Sequence, residues 1–359
     1  MKLLVQSEQR GIAMIIVMVT IFVLAMLAGG FALSMKVETK LARNASSEAE
    51  LEWIGRSGVE LARWILGQEN CPYDSLNQIW AGGAGSDCET NGPLAGISLK
   101  DHKLGNGKYS ITITDLERKF NINQAINSPQ LMEQVFILMG ADAGEFPAVI
   151  GAIQDWVDTD DDPHIGGAES SYYQGLNPPY LAKNGPIDDL SELLLIKGVT
   201  PEMFHGGSPT NFNQAVFQRK LGSTGRNTPV NYTFGLTNVF TPLSSGKINI
   251  NTASEQVLQL IPGIDPNLTT EIIRMRAGPD GADGDGDDVP LRSVGELSGV
   301  VGQNTGLMGH LQQICDVRSK TFEVEVVAEI GGYRRIFYAV LGRNSPKDIQ
   351  VLSFFWRTP

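Results

Sequence analysis

The chain has 359 residues, 42% of them hydrophobic, with 28 Lys and Arg set against 40 Asp and Glu for a net charge of -12. That is apolar material for real cores and length for two ordinary domains, while an acidic balance with few basic clusters argues against a nucleic-acid binder, which grips the phosphate backbone with Lys and Arg. An acidic surface suits a secreted or periplasmic protein, or one that takes up cations.

The first predicted element is a helix. From Gly11 to Met35 there is no charged side chain, and a helix from Ile12 to Leu33 is about 33 Å long, enough to cross a hydrocarbon core of about 30 Å. Residues 12–34 read as a transmembrane helix. A cleaved secretory signal is the competing reading, since Leu27 to Ala32 offers small residues, but such signals are usually shorter and end in a polar mature chain. Here Val37, Leu41, Ala45 and Ala49, then Ile54, Leu61 and Ile65, keep a helical spacing. No Gly or Pro interrupts the chain from Phe31 to Ile54. Residues 35–68 are therefore expected to continue the same helix as an amphipathic half ending near Gly67. Lys2 and Arg10 on one flank and Lys36, Lys40 and Arg43 on the other do not set its orientation by counting.

Next comes CPYDSLNQIWAGGAGSDC, polar and Gly-rich. In an oxidising compartment Cys71 and Cys88 are expected to close it as a disulfide. Cys315, in LQQICDVRS, reads as a buried small hydrophobe. The four histidines, His102, His164, His205 and His310, lack zinc-like spacing and give a catalytic metal centre little support.

KYSITITDLERKFNIN alternates Tyr109, Ile111 and Ile113 with polar residues and predicts a strand ending in a turn. FEVEVVAEIGGYRRIFYAVLGR predicts a hairpin about Gly331-Gly332, and IQVLSFFWR a further strand. Between them, residues 124–315 read as a mostly helical insertion into a sheet domain made of 69–123 and 316–359. The fold class is α+β.

The insertion holds an internal echo. LSELLLIKGVTPEMF and SEQVLQLIPGIDPNL share the order apolar helix, Gly, Val or Ile, polar residue, Pro, second helix. Gly198 and Gly263 are expected to leave the first helix in a left-handed conformation, with Pro201 and Pro266 opening the second. Both resemble helix-hairpin-helix and SAM-like modules. Their turns carry Lys197 and Asp265, poor equipment for DNA, so two hairpins packed on each other is the stronger reading.

Two acidic loops stand out. In DWVDTDDDPHIGGAESSYY, Asp155, Asp158, Asp160, Asp161 and Asp162 repel one another unless a cation sits among them. Oxygen-only ligands with Gly166 and Gly167 for a tight turn suit Ca²⁺, with Glu169 returning a carboxylate from the far side. In PDGADGDGDDV, Asp283, Asp285 and Asp287 resemble the start of an EF-hand loop, although the Glu near the twelfth position is absent and Pro290 intervenes. The predicted structural metal ligands are Asp155, Asp158, Asp160, Asp162 and Glu169, then Asp283, Asp285 and Asp287. Solvated acidic turns are the alternative. Neither a Gly-x-Ser-x-Gly nor a His-based cluster supports a hydrolase, and the chain is expected not to be an enzyme.

Together these segments resemble a known family. Arg10-Gly11 followed at once by the apolar helix resembles the leader of type IV pilins and pseudopilins. The resemblance implies a leader of residues 1–11, cleavage by prepilin peptidase after Gly11, and Ile12 as a methylated new N-terminus. The fifth mature residue, usually a Glu that pairs with a neighbouring subunit, is Ile16 here. That departure is similar to the K-type minor pseudopilin of type II secretion, thought to sit at the tip. DLERKFNIN, DWVDTDDDPHIGGAESSYY, LSELLLIKGV, KININTASEQVLQLIPGI and YRRIFYAVLGR resemble that family's segments in its order, across nearly the whole chain. One departure is Ser170, where the family often has an acidic residue after the Glu.

The resemblance implies a pilin-like sheet, an inner-membrane anchor with the C-terminal region in the periplasm, and a tip subunit that primes pseudopilus assembly. Its implied partners are the I- and J-type minor pseudopilins, the major pseudopilin, prepilin peptidase and inner-membrane lipid, with no nucleic acid. The alternative is a minor pilin of a type IV pilus or DNA-uptake system that binds DNA through the helical hairpins.

Overall fold

The structure, a computed structural model, describes residues 10–68, 71–86, 88–89, 92–207, 232–302 and 304–357. Most of the predicted leader, residues 1–9, and residues 208–231 of the predicted insertion lie outside the described residues.

Helix α1 runs unbroken from Arg10 to Gly67. Its first half is exposed and apolar and is long enough to cross a membrane. Its second half buries one stripe, Leu51, Ile54, Gly55, Gly58, Val59, Ala62, Ile65 and Leu66, at steps of three and four. Val37 and Leu41, which share the predicted periodicity, remain exposed, because no sheet reaches that far along the helix. The stripe lies on an antiparallel sheet of β1 (His102–Leu104), β2 (Gly107–Asp115), β3 (Thr321–Ile330), β4 (Tyr333–Ser345) and β5 (Asp348–Arg357), in that spatial order. Along β3, Phe322, Val324, Val326, Ala328 and Ile330 alternate inward towards α1, so each face is set by the period of two.

Two glycines allow the close approach. A Cβ on Gly55 would lie 2.5 Å from the Phe337 ring, and one on Gly58 2.5 Å from Val326. The β3–β4 hairpin turns on Gly331 and Gly332, both at positive φ (55° and 88°), as the sequence predicts.

The chain leaves the sheet after Asp115 and returns at Thr321. In between it builds a second core from short helices, with Met132, Phe136, Ile153, Tyr173, Leu236, Phe240, Val257, Leu258 and Ile272 buried. The main ones are α2 (Pro129–Met139), α3 (Phe146–Val157), α4 (Ser170–Gln174), α5 (Pro201–His205), α6 (Glu255–Gln259) and α7 (Pro266–Arg276). Gly198 and Gly263 have φ of 85° and 90°, and Thr200 and Asp265 cap the helices that follow. In the first echo, however, the apolar helix is a single 3-10 segment, Leu190–Leu195, opened by a capping box of Asp189 and Glu192. The run is too short to carry a full α-helix once its capping box and the Gly198 exit are satisfied. Cys71 and Tyr73 pack in this second core, whereas Trp80 and Leu94 pack in the sheet core.

Candidate metal centre

Helix α3 ends where the first acidic loop begins. Asp155 occupies its last turn, fully buried, and Asp158 is its C-cap. The loop returns through Gly166, at φ 77°, to Glu169, which is 3% exposed. This brings carboxylate oxygens of Asp158, Asp160 and Glu169 within 4.8 Å of one another. Asp155, Asp158 and His164 form an overlapping group of the same span.

Asp155 is oriented from one side only. Its Oδ1 accepts from the His164 backbone N–H at 2.9 Å and lies 2.6 Å from His164 Nδ1. Its Oδ2, together with Asp158 Oδ1 and both Glu169 oxygens, is buried without a hydrogen-bond donor. Four orphaned carboxylate oxygens in one loop are expensive. Burial and the neighbouring Asp155 and Asp158 push the Glu169 carboxyl up to about 7, and burial followed by Asp160 raises that of Asp158. Hard oxygen donors held this way are what Ca²⁺ accepts, and the residues fit it.

Asp162 is the predicted ligand that stands apart. Its backbone N–H donates to Asp160 Oδ1 at 3.0 Å, while its own side chain is exposed and outside the close group. His164 has no sequence signal, because its nine-residue offset from Asp155 matches no ligand spacing and only the loop's return brings the two together. Lys197, at the first hairpin turn, donates to the carbonyls of Gly166 (3.1 Å) and Gly167 (3.0 Å) and lies over the Tyr172 ring. It braces the acidic loop.

The second loop gathers a different set from the one predicted. Asp280, Asp285 and Asp287 come within 4.8 Å, whereas Asp283 turns away and takes Arg276 in two hydrogen bonds, at 3.0 and 2.7 Å. The guanidinium of Arg276 is 4% exposed and also donates to Ile250 O, so a carboxylate is needed there to balance a buried cation. Asp288 adds a buried Oδ1 without a donor, and its Oδ2 accepts from Gly284 N–H at 2.7 Å.

Elsewhere, Gly11 and Ile12 fall in the first turn of α1, and Ile16 is 57% exposed on its apolar surface. Cys71 and Cys88 are joined as a disulfide with Cα atoms 5.7 Å apart, and Cys315 is free and buried.

The chain has recognisable relatives. A family model described as type II secretion system (T2SS), protein K, matches residues 118–210. The chain is 28% identical over 212 residues to the putative type II secretion system protein K of Escherichia coli K12, a span of 55% of this chain and 60% of that protein. It is 22% identical to the type II secretion system protein K of Pseudomonas aeruginosa, covering 96% of this chain and 92% of the relative. With that of Aeromonas hydrophila it shares 23%, over 96% of each. The fold is similar to a chain in the crystal structure of the GspK-GspI-GspJ complex from the type 2 secretion system of enterotoxigenic Escherichia coli. The TM-score is 0.62 at 17% identity, covering 89% of this chain and 99% of that one.

Proposed function

We propose that this chain, which belongs to the type II secretion system protein K family, is a minor pseudopilin that joins I- and J-type minor pseudopilins at the tip of the pseudopilus and primes its growth. The observation that carries the reading is α1. One uninterrupted helix has an exposed apolar half and a half clamped on an antiparallel sheet, so the same element serves as membrane anchor before assembly and as filament backbone after it. On this reading prepilin peptidase cuts after Gly11, Ile12 becomes the methylated N-terminus, and the sheet and insertion lie in the periplasm. Ile16 fits a tip subunit: a Glu at that depth costs at least ~2–3 kcal/mol in the bilayer unless a partner's amine meets it. The role is structural, without catalysis.

Asp158, Asp160 and Glu169, with Asp155 behind them, would hold one Ca²⁺, and Asp280, Asp285 and Asp287 a second. The ion supplies positive charge to loops that otherwise repel. The two helical hairpins act here as scaffolding, SAM-like in sequence pattern. Lys197 is engaged by the loop carbonyls and Asp265 by its own helix cap, which weighs against DNA binding.

Co-expression with the I- and J-type minor pseudopilins tests the reading: a complex of all three chains is the expected product. Failure to capture either partner, together with retention of DNA at low salt, would favour the DNA-uptake alternative.

A further inference from the structure

The two lobes meet at a buried layer of charge. Asp74, fully buried, accepts from the backbone N–H of Ser319 at 2.6 Å and pairs with Arg343 at the end of β4. Its own N–H donates to Val317 O, and its carbonyl accepts from Asn249 Nδ2 at 3.1 Å. Asn249 also donates to Asp115 Oδ2 at 3.1 Å, and that oxygen accepts from Thr252 and Ser319 hydroxyls as well. Glu117 accepts from the N–H groups of Ser245, Lys320 and Thr321. These contacts join the sheet (Asp115, Thr321, Arg343), the insertion (Ser245, Asn249, Thr252) and the segment carrying Asp74, where the chain leaves the sheet after Asp115 and returns to it at Thr321.

Asp74 belongs to neither lobe's regular elements. It sits three residues after Cys71, in a segment without a helix or strand of its own until Ile79. That segment is closed by the bond from Cys71, 1% exposed in the insertion core, to Cys88, which is exposed. Ser86 and Glu89 tie the far end: Glu89 accepts from the N–H groups of Ile79 and Ser86. A carboxylate delivered by an irregular segment has its position set by what tethers that segment.

We propose that the Cys71–Cys88 disulfide is an oxidation-dependent latch, which fixes the sheet and the helical insertion as one body by holding Asp74 in the Arg343 and Ser319 contacts. To set it, the two thiols give up two electrons and two protons to the disulfide of a thiol–disulfide oxidoreductase. A sulfur–sulfur bond forms here as one breaks there, and the oxidoreductase leaves as a dithiol. Exposed Cys88 is the sulfur that exchange can reach.

Site-resolved hydrogen exchange on the full chain in detergent micelles tests the latch. Adding dithiothreitol should speed exchange at the Asp74 and Ser319 amides at least ~10-fold, while Val324 in the sheet and Ile153 in α3 keep their rates. The double variant Cys71→Ser/Cys88→Ser should show the same pattern without reductant. In Asp74→Asn with the disulfide intact, Ser319 should already exchange fast and reductant should add little. The proposal is overturned by unchanged Asp74 and Ser319 rates on reduction. Equal acceleration at all four sites, which is plain loss of stability, overturns it too, as does a full further acceleration at Ser319 in Asp74→Asn.

Discussion

Gly167 lies against the Asp155 carboxylate so closely that a Cβ on it would fall on Oδ2, with Asp155 Cγ at 2.8 Å. The carboxylate is pinned on its other side by His164, so it has little room to retreat. Gly167→Ala should therefore remove most of the Ca²⁺-dependent rise in melting temperature although no charge is lost. Calorimetry of the variant in millimolar Ca²⁺ and in chelator decides it; a rise equal to wild type would show that Asp155 takes no part in ion binding.

Removing charge from the same loop should act differently. Saturation at a hundredfold excess over the dissociation constant stabilises by about 2.7 kcal/mol, and Asp158→Ala with Asp160→Ala should abolish that gain. In chelator the double variant should melt no lower than wild type, because a repulsive cluster has been thinned. A lower chelator melting temperature would show that these carboxylates hold the loop together by other means.

The raised carboxyl of Glu169 makes a pH prediction. Its folded pKa, about 7, lies above its ordinary value of 4.5, so the folded state binds the proton more tightly than the unfolded one. The stability that Glu169 contributes in chelator is full below about 4.5, falls as pH climbs to about 7 and then levels off. Asp115, buried between the lobes and likewise pushed up to about 7 by burial and then by Glu117, contributes in the same window. Glu169→Gln should flatten part of the slope between about pH 4.5 and 7, and Ca²⁺ should suppress that part alone. An unchanged slope in Glu169→Gln would refute the assignment.

Asp283 should behave as a structural residue. Its removal strands the buried guanidinium of Arg276, and losing one partner of such a pair costs about 3 kcal/mol. Asp283→Ala should thus be destabilised equally with and without Ca²⁺, whereas Asp285→Asn and Asp287→Asn should lose only a Ca²⁺-dependent increment. Denaturant titrations in both conditions distinguish the two behaviours.

The contact of α1 with the sheet depends on Gly58. With Val326 only 2.5 Å from the added methyl, Gly58→Ala forces helix and sheet apart and should cost about 1–3 kcal/mol despite its gain in helix propensity. A variant as stable as wild type by chemical denaturation would mean that the helix shifts freely on the sheet.

Local periodicity determined the elements whose signal is carried within a few residues of chain. The apolar run from Gly11, the alternation of β2 and β3, the Gly331-Gly332 hairpin and the left-handed exits at Gly198 and Gly263 all follow from steric and solvation rules acting over one turn or one pleat. The acidic composition of both loops was equally legible. Which oxygens converge was not: His164 reaches Asp155, and Asp283 leaves its neighbours for Arg276, because a buried group takes the partner that tertiary packing brings within reach. The helical spacing through Val37 and Leu41 likewise marks a face but not what covers it, and only the sheet's extent decides that burial starts at Leu51. The charge layer around Asp74, Asp115 and Arg343 is set by contacts between residues up to 269 positions apart. No window of sequence contains such a contact, so it exists only once both lobes have folded and met.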